Sequence, residues 1–256
     1  MTSRVFVIVA SGADAAAMNF IAIAAGSGMR WMSPADLSQP GWKFRLRNAV
    51  DSVAVVAGRP IATARIAGVI TRLPIVNEYD LAHIVESDRR YVAAEMTAFL
   101  LAWLTSLKCP LLNRPTPQCL SGPYWRQEKW VLTANRLAIP SRAVVRRARF
   151  SSDGAGAAGP EPAGNIIAIV GRNHVGAGSD VLVKRAHALA QAARVDLLSV
   201  QFDGQGPDAK FVDANLWPDL GDARIAEAVI DLLRKRATPR NPRRKTDDIA
   251  VGNFAG

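Results

Sequence analysis

Apolar segments of strand length alternate with segments of helical periodicity along this chain, and that alternation restricts the fold more than any other feature. Residues 4–10, RVFVIVA, predict a buried strand, and residues 13–25 predict a helix that ends at glycines. Further short strands are predicted near residues 29–32, 44–46 and 53–57, and within residues 65–74. Strands and helices in this order favour an α/β layer structure over a helical bundle.

The most helical segment is residues 88–108, where apolar residues recur at helical spacing. Its stretch from Tyr91 to Leu107 is apolar, but it is short for a membrane span and contains Glu95. We therefore predict a buried helix and no membrane partner. A second amphipathic helix is predicted for residues 123–137, after a proline-containing break.

The second half of the chain contains a glycine-rich segment, GRNHVGAGSD, between a predicted strand at residues 165–171 and a predicted helix at residues 181–194. Backbone N–H groups near Gly176 and Gly178, together with the helix N-terminus, can bind a phosphate. The segment lacks the lysine of a P-loop, and such turns also occur without a ligand. A last helix is predicted for residues 222–236.

Residues 197–220 predict a β-hairpin whose second strand carries Asp213 and Asn215. Side chains two residues apart leave the same face of a strand, so the carboxylate and the amide lie side by side. Hard oxygen ligands of this kind suit Mg²⁺ held between protein and phosphates. The alternative is an exposed strand end, where the two side chains only form a turn.

Between the two halves lies an arginine-rich segment followed by a low-complexity one. Residues 144–150 predict a strand on which Arg146 and Arg147 either contact phosphates or form a solvated basic surface. Residues 151–164 are rich in Gly, Ala, Ser and Pro, and we interpret them as a surface linker.

Charge is concentrated at the C-terminal end. The formal net charge is +10, and the residues after Asp231 contribute a net +5 of it. Because no nucleic-acid motif accompanies this charge, we interpret residues 237–256 as a basic disordered tail and do not expect a nucleic-acid partner. Cys109 and Cys119 fit no paired spacing, which indicates free thiols and a cytoplasmic protein.

Several segments, in order, resemble the ATP-grasp superfamily. The resemblance is to peptide-modifying ligases with a pre-ATP-grasp N-terminal domain, namely graspetide maturases and ribosomal-protein-glutamylating enzymes. The matching segments are AGVITRLP, DRRYVAAEMTAFLLAWL, PLLNRPTP, LSGPYWRQEKWVLTANRLAIPSRAV, VDLLSVQFDG and KFVDANLWPDL. The resemblance implies an α/β fold with a pre-ATP-grasp-like domain at residues 1–117 and a shortened ATP-grasp-like domain at residues 118–236.

The same resemblance implies ATP and Mg²⁺ as cofactors, with Asp213 and Asn215 as metal ligands. A further carboxylate is expected about a dozen positions earlier, where this chain has the neutral Gln201, with Asp203 two residues along. The lysine-bearing small subdomain of the family is missing, since no lysine occurs between Lys129 and Lys184.

Two functions remain open. The first is an ATP-grasp-like relative of ATP-dependent carboxylate–amine ligases acting on peptides, with reduced or lost catalysis. The second is a non-catalytic component of a peptide-modification pathway that binds a peptide or a partner. Whether the chain is an enzyme stays open at this point, and the expected partner is a peptide or protein substrate or a partner enzyme.

Overall fold

The computed structural model describes residues 4–45, 51–144 and 164–238. Within these ranges the strands are β1 (Val5–Val9), β2 (Met29–Met32), β3 (Val53–Val56), β4 (Arg59–Ala62), β5 (Ile66–Thr71), β6 (Leu111–Leu112), β7 (Asn165–Val170), β8 (Asn173–Val175), β9 (Leu197–Phe202) and β10 (Phe211–Asn215). The helices are α1 (Ala15–Ile23), α2 (Glu86–Ser106), α3 (Gln127–Arg136), α4 (Asp180–Ala193) and α5 (Ala223–Ala237).

The first half forms a parallel sheet in the order β2-β1-β5-β6. All five residues of β1 are buried, because both faces of this central strand are covered. Asp14 begins α1, and its side chain accepts a hydrogen bond from the Ala17 N–H at 3.0 Å. The α/β class predicted from the alternation of strands and helices is confirmed.

The second half forms an antiparallel sheet in the order β10-β9-β7-β8. Helix α5 contacts β5 of the first sheet and β7 of the second. Its apolar stripe, which includes Val229 and Leu233, lies in one core with Phe6, Phe20 and Val170. Helix α5 therefore joins the two sheets.

Two further cores cover the outer faces of the sheets. Trp103 of α2 is buried beside the first sheet, and Trp130 of α3 is buried with Phe202 beside the second. The helix predicted at residues 88–108 is thus a packed helix, as expected. In the part of the chain that the structure describes, no helix is both long and apolar enough to cross a bilayer.

Two local predictions were wrong, and one strand was not predicted. The glycine-rich segment is not only a loop, because it contains β8, which pairs with β7 through a tight turn where Gly171 has φ +62°. Phe44 and Arg45 form no strand, although Lys43 bridges to Val53. The exposed strand β4 was missed because its polar residues and its proline do not match an apolar alternating pattern.

Several predictions fall outside the described residues. These are the strand at residues 144–150 beyond its first residue, with Arg146 and Arg147, most of the linker at 151–164, and residues 239–256 of the tail. The division into domains at residues 1–117 and 118–236 stays a prediction.

Candidate functional site

The antiparallel register of β9 and β10 places Gln201 directly opposite Asp213. Asn215 lies opposite Ser199, two positions further along the same face. The residues that the sequence singled out as metal ligands are therefore neighbours on one surface of the hairpin, which is called the hairpin surface below.

Asp213 is half-buried, and its Oδ1 accepts a hydrogen bond from the Ala214 N–H at 2.8 Å. Burial raises the pKa of this carboxyl above its ordinary value, and the charge of Glu128 on α3 raises the pKa further. Sequence reasoning did not single out Glu128, which is 85 positions away in the chain. Asp213 on the hairpin surface and Glu128 on the neighbouring helix α3 are therefore an acidic pair close enough to repel each other.

Asn215 is exposed and is already part of a turn. Its Oδ1 accepts a hydrogen bond from the Trp217 N–H at 3.0 Å. This is the local arrangement that an asparagine at a strand end adopts without any ligand. Within the described residues, the indole Nε1 of Trp217 is buried and has no hydrogen-bond partner. An N–H donor of this kind suits an anion or a carbonyl, and it cannot bind a cation.

Asp203 does not replace the missing carboxylate at Gln201. Its two oxygens accept hydrogen bonds from Arg142 Nε at 2.9 Å and from the Lys210 N–H at 2.7 Å. The Lys210 N–H, followed by Arg142, lowers the pKa of Asp203. This carboxylate closes the hairpin turn instead of facing a metal.

The donors of the hairpin surface fit a complete Mg²⁺ site poorly. Asp213 and Glu128 are anionic, Gln201 is neutral, and the Asn215 oxygen already accepts a hydrogen bond. Among the described residues, no group of three or more His, Cys, Asp or Glu side chains is placed to hold a metal ion. Because Mg²⁺ binds chiefly through anionic oxygens and substrate phosphates, these residues alone offer it little affinity.

The glycines predicted to bind phosphate lie tightly against β7. Gly176 has φ +127°, and a Cβ atom there would lie 2.3 Å from the Ile166 carbonyl oxygen. A Cβ at Gly178 would lie 3.0 Å from Ile167 Cδ1. The Ser179 N–H, at the start of α4, donates to the Gln205 carbonyl at 3.0 Å. Close packing therefore explains the glycines, and their role toward phosphate stays a prediction.

Two polar residues that the sequence analysis overlooked fix the hairpin to the first sheet. Asn113 follows β6 and has only 2% of its surface exposed. Its Nδ2 donates to the Leu197 carbonyl at 3.0 Å, and its Oδ1 accepts from the N–H groups of Asp196 and Leu197 at 2.7 and 2.9 Å. This residue holds the beginning of β9.

Arg72 holds the segment that follows β10. Its Nε lies 2.7 Å from Asp14 Oδ2, and its Nη1 donates to the Pro218 carbonyl at 2.9 Å. Asp14 is the residue that caps α1. Arg72, which follows β5, therefore binds the start of the first helix through its ion pair and the segment after the hairpin through its hydrogen bond.

Comparisons with solved structures show chains of similar fold. The macrocyclase MdnC of Microcystis aeruginosa MRC, bound with precursor peptide MdnA, is 11% identical, with 91% of this chain and 100% of that chain covered and a TM-score of 0.62. A Chryseobacterium gregarium RiPP-associated ATP-grasp ligase, in complex with ADP and a leader and core peptide, is 12% identical, with 93% and 98% covered and a TM-score of 0.60.

The ATP-grasp ligase PsnB complexed with precursor peptide PsnA2 and AMPPNP is 13% identical, with 93% of this chain and 99% of that chain covered and a TM-score of 0.60. No protein-family profile and no curated protein sequence matches the chain. At this level of identity the likeness concerns the arrangement of the backbone. The resemblance seen in the sequence is confirmed at that level: the chain has the fold of the peptide-modifying ATP-grasp ligases.

Proposed function

We propose that this protein acts in peptide modification as an ATP-grasp-like relative of carboxylate–amine ligases, with reduced or lost catalysis. The observation that carries the proposal is the pairing of Gln201 with Asp213 across the hairpin. A neutral amide stands where the resemblance to the family predicts a carboxylate, next to the aspartate that would hold the metal.

The electrostatics of the hairpin surface support weak metal binding. One anionic ligand fewer lowers the Coulomb attraction for a divalent ion, and the half-buried Asp213 disfavours its own ionised form. Glu128 lies on α3 and not on the hairpin, and its charge raises the pKa of Asp213 further. Mg²⁺ would neutralise phosphate charge if it bound here, and a weak site would limit that contribution.

The test is a matched pair of substitutions in the hairpin. Gln201→Asp adds a carboxylate opposite Asp213, whereas Gln205→Asp adds the same charge in the exposed turn. We expect Gln201→Asp to tighten Mg²⁺ binding by about tenfold or more, measured by calorimetry, and Gln205→Asp to change it little. An equal effect of both substitutions, or no effect of either, would remove the basis for this proposal.

A second candidate function is a non-catalytic component that binds a peptide or a partner enzyme. The turn made by Asn215 favours it, because the second predicted metal ligand already satisfies a backbone N–H. Phosphate release separates the two candidates. A ligase with residual activity releases phosphate from ATP when a peptide substrate is added, and a binding component does not.

A further inference from the structure

A pocket of about 380 Å³ opens at the edge of the first sheet where its parallel strands begin. It lies between the start of β1, the 3₁₀ turn at Thr63–Arg65 that precedes β5, and the residues that follow α2. Its apolar wall includes Ile66, Leu107 and Pro110. A cavity of this volume falls within the range of about 300–1,000 Å³ that small ligands occupy.

The charged residues that line this pocket in the described part of the chain are all basic. They are Arg4, Arg65, Lys108 and Arg236. Arg236 is paired with Asp196, so its charge is largely balanced. Arg4, Arg65 and Lys108 are three further basic side chains around the same cavity. Ligand pockets that gather cations on low-dielectric walls attract anions strongly.

Two of these cations are well placed to bind a ligand. Arg4 donates through Nη1 to the Ala237 carbonyl at 2.8 Å, which holds the guanidinium in place, and none of the described acidic residues forms an ion pair with it. Lys108 is exposed and makes no ion pair with any described residue. An oriented guanidinium and a mobile ammonium group together suit a phosphate better than a single carboxylate, because a phosphate carries more charge and more acceptor oxygens.

A buried hydroxyl provides an independent observation. Thr63 lines the pocket with only 6% of its surface exposed, and its Oγ1 has no hydrogen-bond partner among the described residues. An unsatisfied buried hydroxyl costs folding free energy, so its presence calls for an explanation. The Oγ1 atom itself has almost no accessible surface, so a ligand oxygen in the pocket accepts from this hydroxyl only after Thr63 changes its side-chain rotamer.

The basic surface continues beyond the pocket. A second cavity, of about 590 Å³, shares Arg65 with the first and is also lined by Arg30 and Arg59. Among the residues that the structure describes, no acidic side chain lines this second cavity. A ligand with more than one phosphate, or with a group attached to its phosphate, has room to extend there.

We propose that the pocket lined by Arg4, Thr63, Arg65 and Lys108 binds a small phosphate ester or diphosphate. This site lies on the first sheet and is separate from the hairpin surface on the second. Its ligand binds through direct contacts with cations, so it needs no Mg²⁺. The proposal does not depend on whether the protein retains ligase activity.

Inorganic pyrophosphate is a suitable probe, titrated into the full chain by calorimetry with EDTA present to exclude binding through a metal. We expect saturable binding to one site. Lys108→Ala should weaken binding about tenfold, and Lys184→Ala, which removes an equally exposed lysine on α4, should leave binding unchanged. Thr63→Val should weaken binding severalfold while the melting temperature stays equal or rises, since it removes an unsatisfied hydroxyl.

Three results would overturn the proposal. The first is the absence of saturable pyrophosphate binding to the unmodified chain. The second is equal weakening by Lys108→Ala and Lys184→Ala, which would mean that only net charge matters. The third is a tetraglutamate peptide that displaces pyrophosphate at concentrations below those at which glycerol phosphate does, since that outcome would identify carboxylates as the ligand.

Discussion

The junction between the two sheets and the hairpin surface both depend on polar side chains, but they use them differently. At the junction, Asn113 is buried and makes three hydrogen bonds to the backbone near the start of β9. On the hairpin surface, Asn215 is exposed and makes one bond within its own turn. The same type of residue is structural at one position and replaceable at the other.

The difference in burial and hydrogen bonding between these two asparagines shows which polar residues hold the fold together and which are available to a ligand. A buried polar group with all its bonds made to protein is costly to remove and has nothing left to offer a ligand. The hairpin surface instead holds the acidic pair Asp213 and Glu128, whose repulsion is tolerated by the fold. The predictions below test this contrast.

The largest effect is expected at the junction. Asn113→Ala leaves the N–H groups of Asp196 and Leu197 and the Leu197 carbonyl without their partner, at a cost of about 3–5 kcal/mol in the free energy of unfolding. In a chain of this size the melting temperature should fall by roughly 10 °C. Asn215→Ala is the matched control and should change it by about 2 °C or less. Similar losses from both variants would contradict the assignment of Asn113 to the structure and of Asn215 to a replaceable position.

A smaller loss is expected from Arg72→Met. This substitution removes the ion pair with Asp14 and the hydrogen bond to Pro218, and it leaves a poorly exposed carboxylate without its cation. We expect a loss of about 2–3 kcal/mol in the free energy of unfolding, measured by urea denaturation. Arg224→Met breaks an exposed pair with Asp222 and should give no measurable change. If Arg72→Met also has no effect, the two sheets are joined by apolar packing alone.

The smallest effect is expected on the hairpin surface, and its sign is opposite. The folded-state pKa of Asp213 is raised, so its ionised form opposes folding and stability falls as the pH rises through that pKa. Asp213→Asn should therefore raise the melting temperature at pH 7 by about 1–3 °C and give no gain near pH 3. A decrease at pH 7 would show that the carboxylate stabilises the fold.

Asp203 in the same hairpin provides the opposite case. Its folded-state pKa is lowered, so its contribution to stability is present at neutral pH and is lost as the pH falls through that pKa. Asp203→Asn should therefore lower the melting temperature at pH 7 and leave it nearly unchanged at acidic pH. Thermal melts of the two variants across the same pH range check both signs together.

Much of the fold could be predicted because its central elements are long apolar segments with clear ends. The strand β1 is a continuous apolar run, and α2 is a long segment without glycine or proline; both were located within a few residues. Strand β8 could not be found in this way. Its residues Asn173–Val175 are mostly polar, and it exists because it pairs with β7.

The candidate site could be predicted only where its parts are close in sequence. The hairpin was predicted because both of its strands lie close together in the chain, but the pairing of Gln201 with Asp213 depends on a register shift between Phe211 and Asp213 that the sequence pattern does not show. The approach of Glu128 to Asp213 depends on how α3 packs on β10, which no local pattern encodes. Asn113 was missed for the same reason, since an asparagine before Arg-Pro is also typical of an exposed turn.

The most direct test of the central claim is calorimetry of ATP with Mg²⁺ on the unmodified chain. A hairpin surface with Gln201 opposite Asp213 and a turn-forming Asn215 should bind the nucleotide weakly, with a Kd of about 1 mM or above, or not at all. A Kd in the micromolar range, together with phosphate release when a peptide substrate is added, would contradict this account.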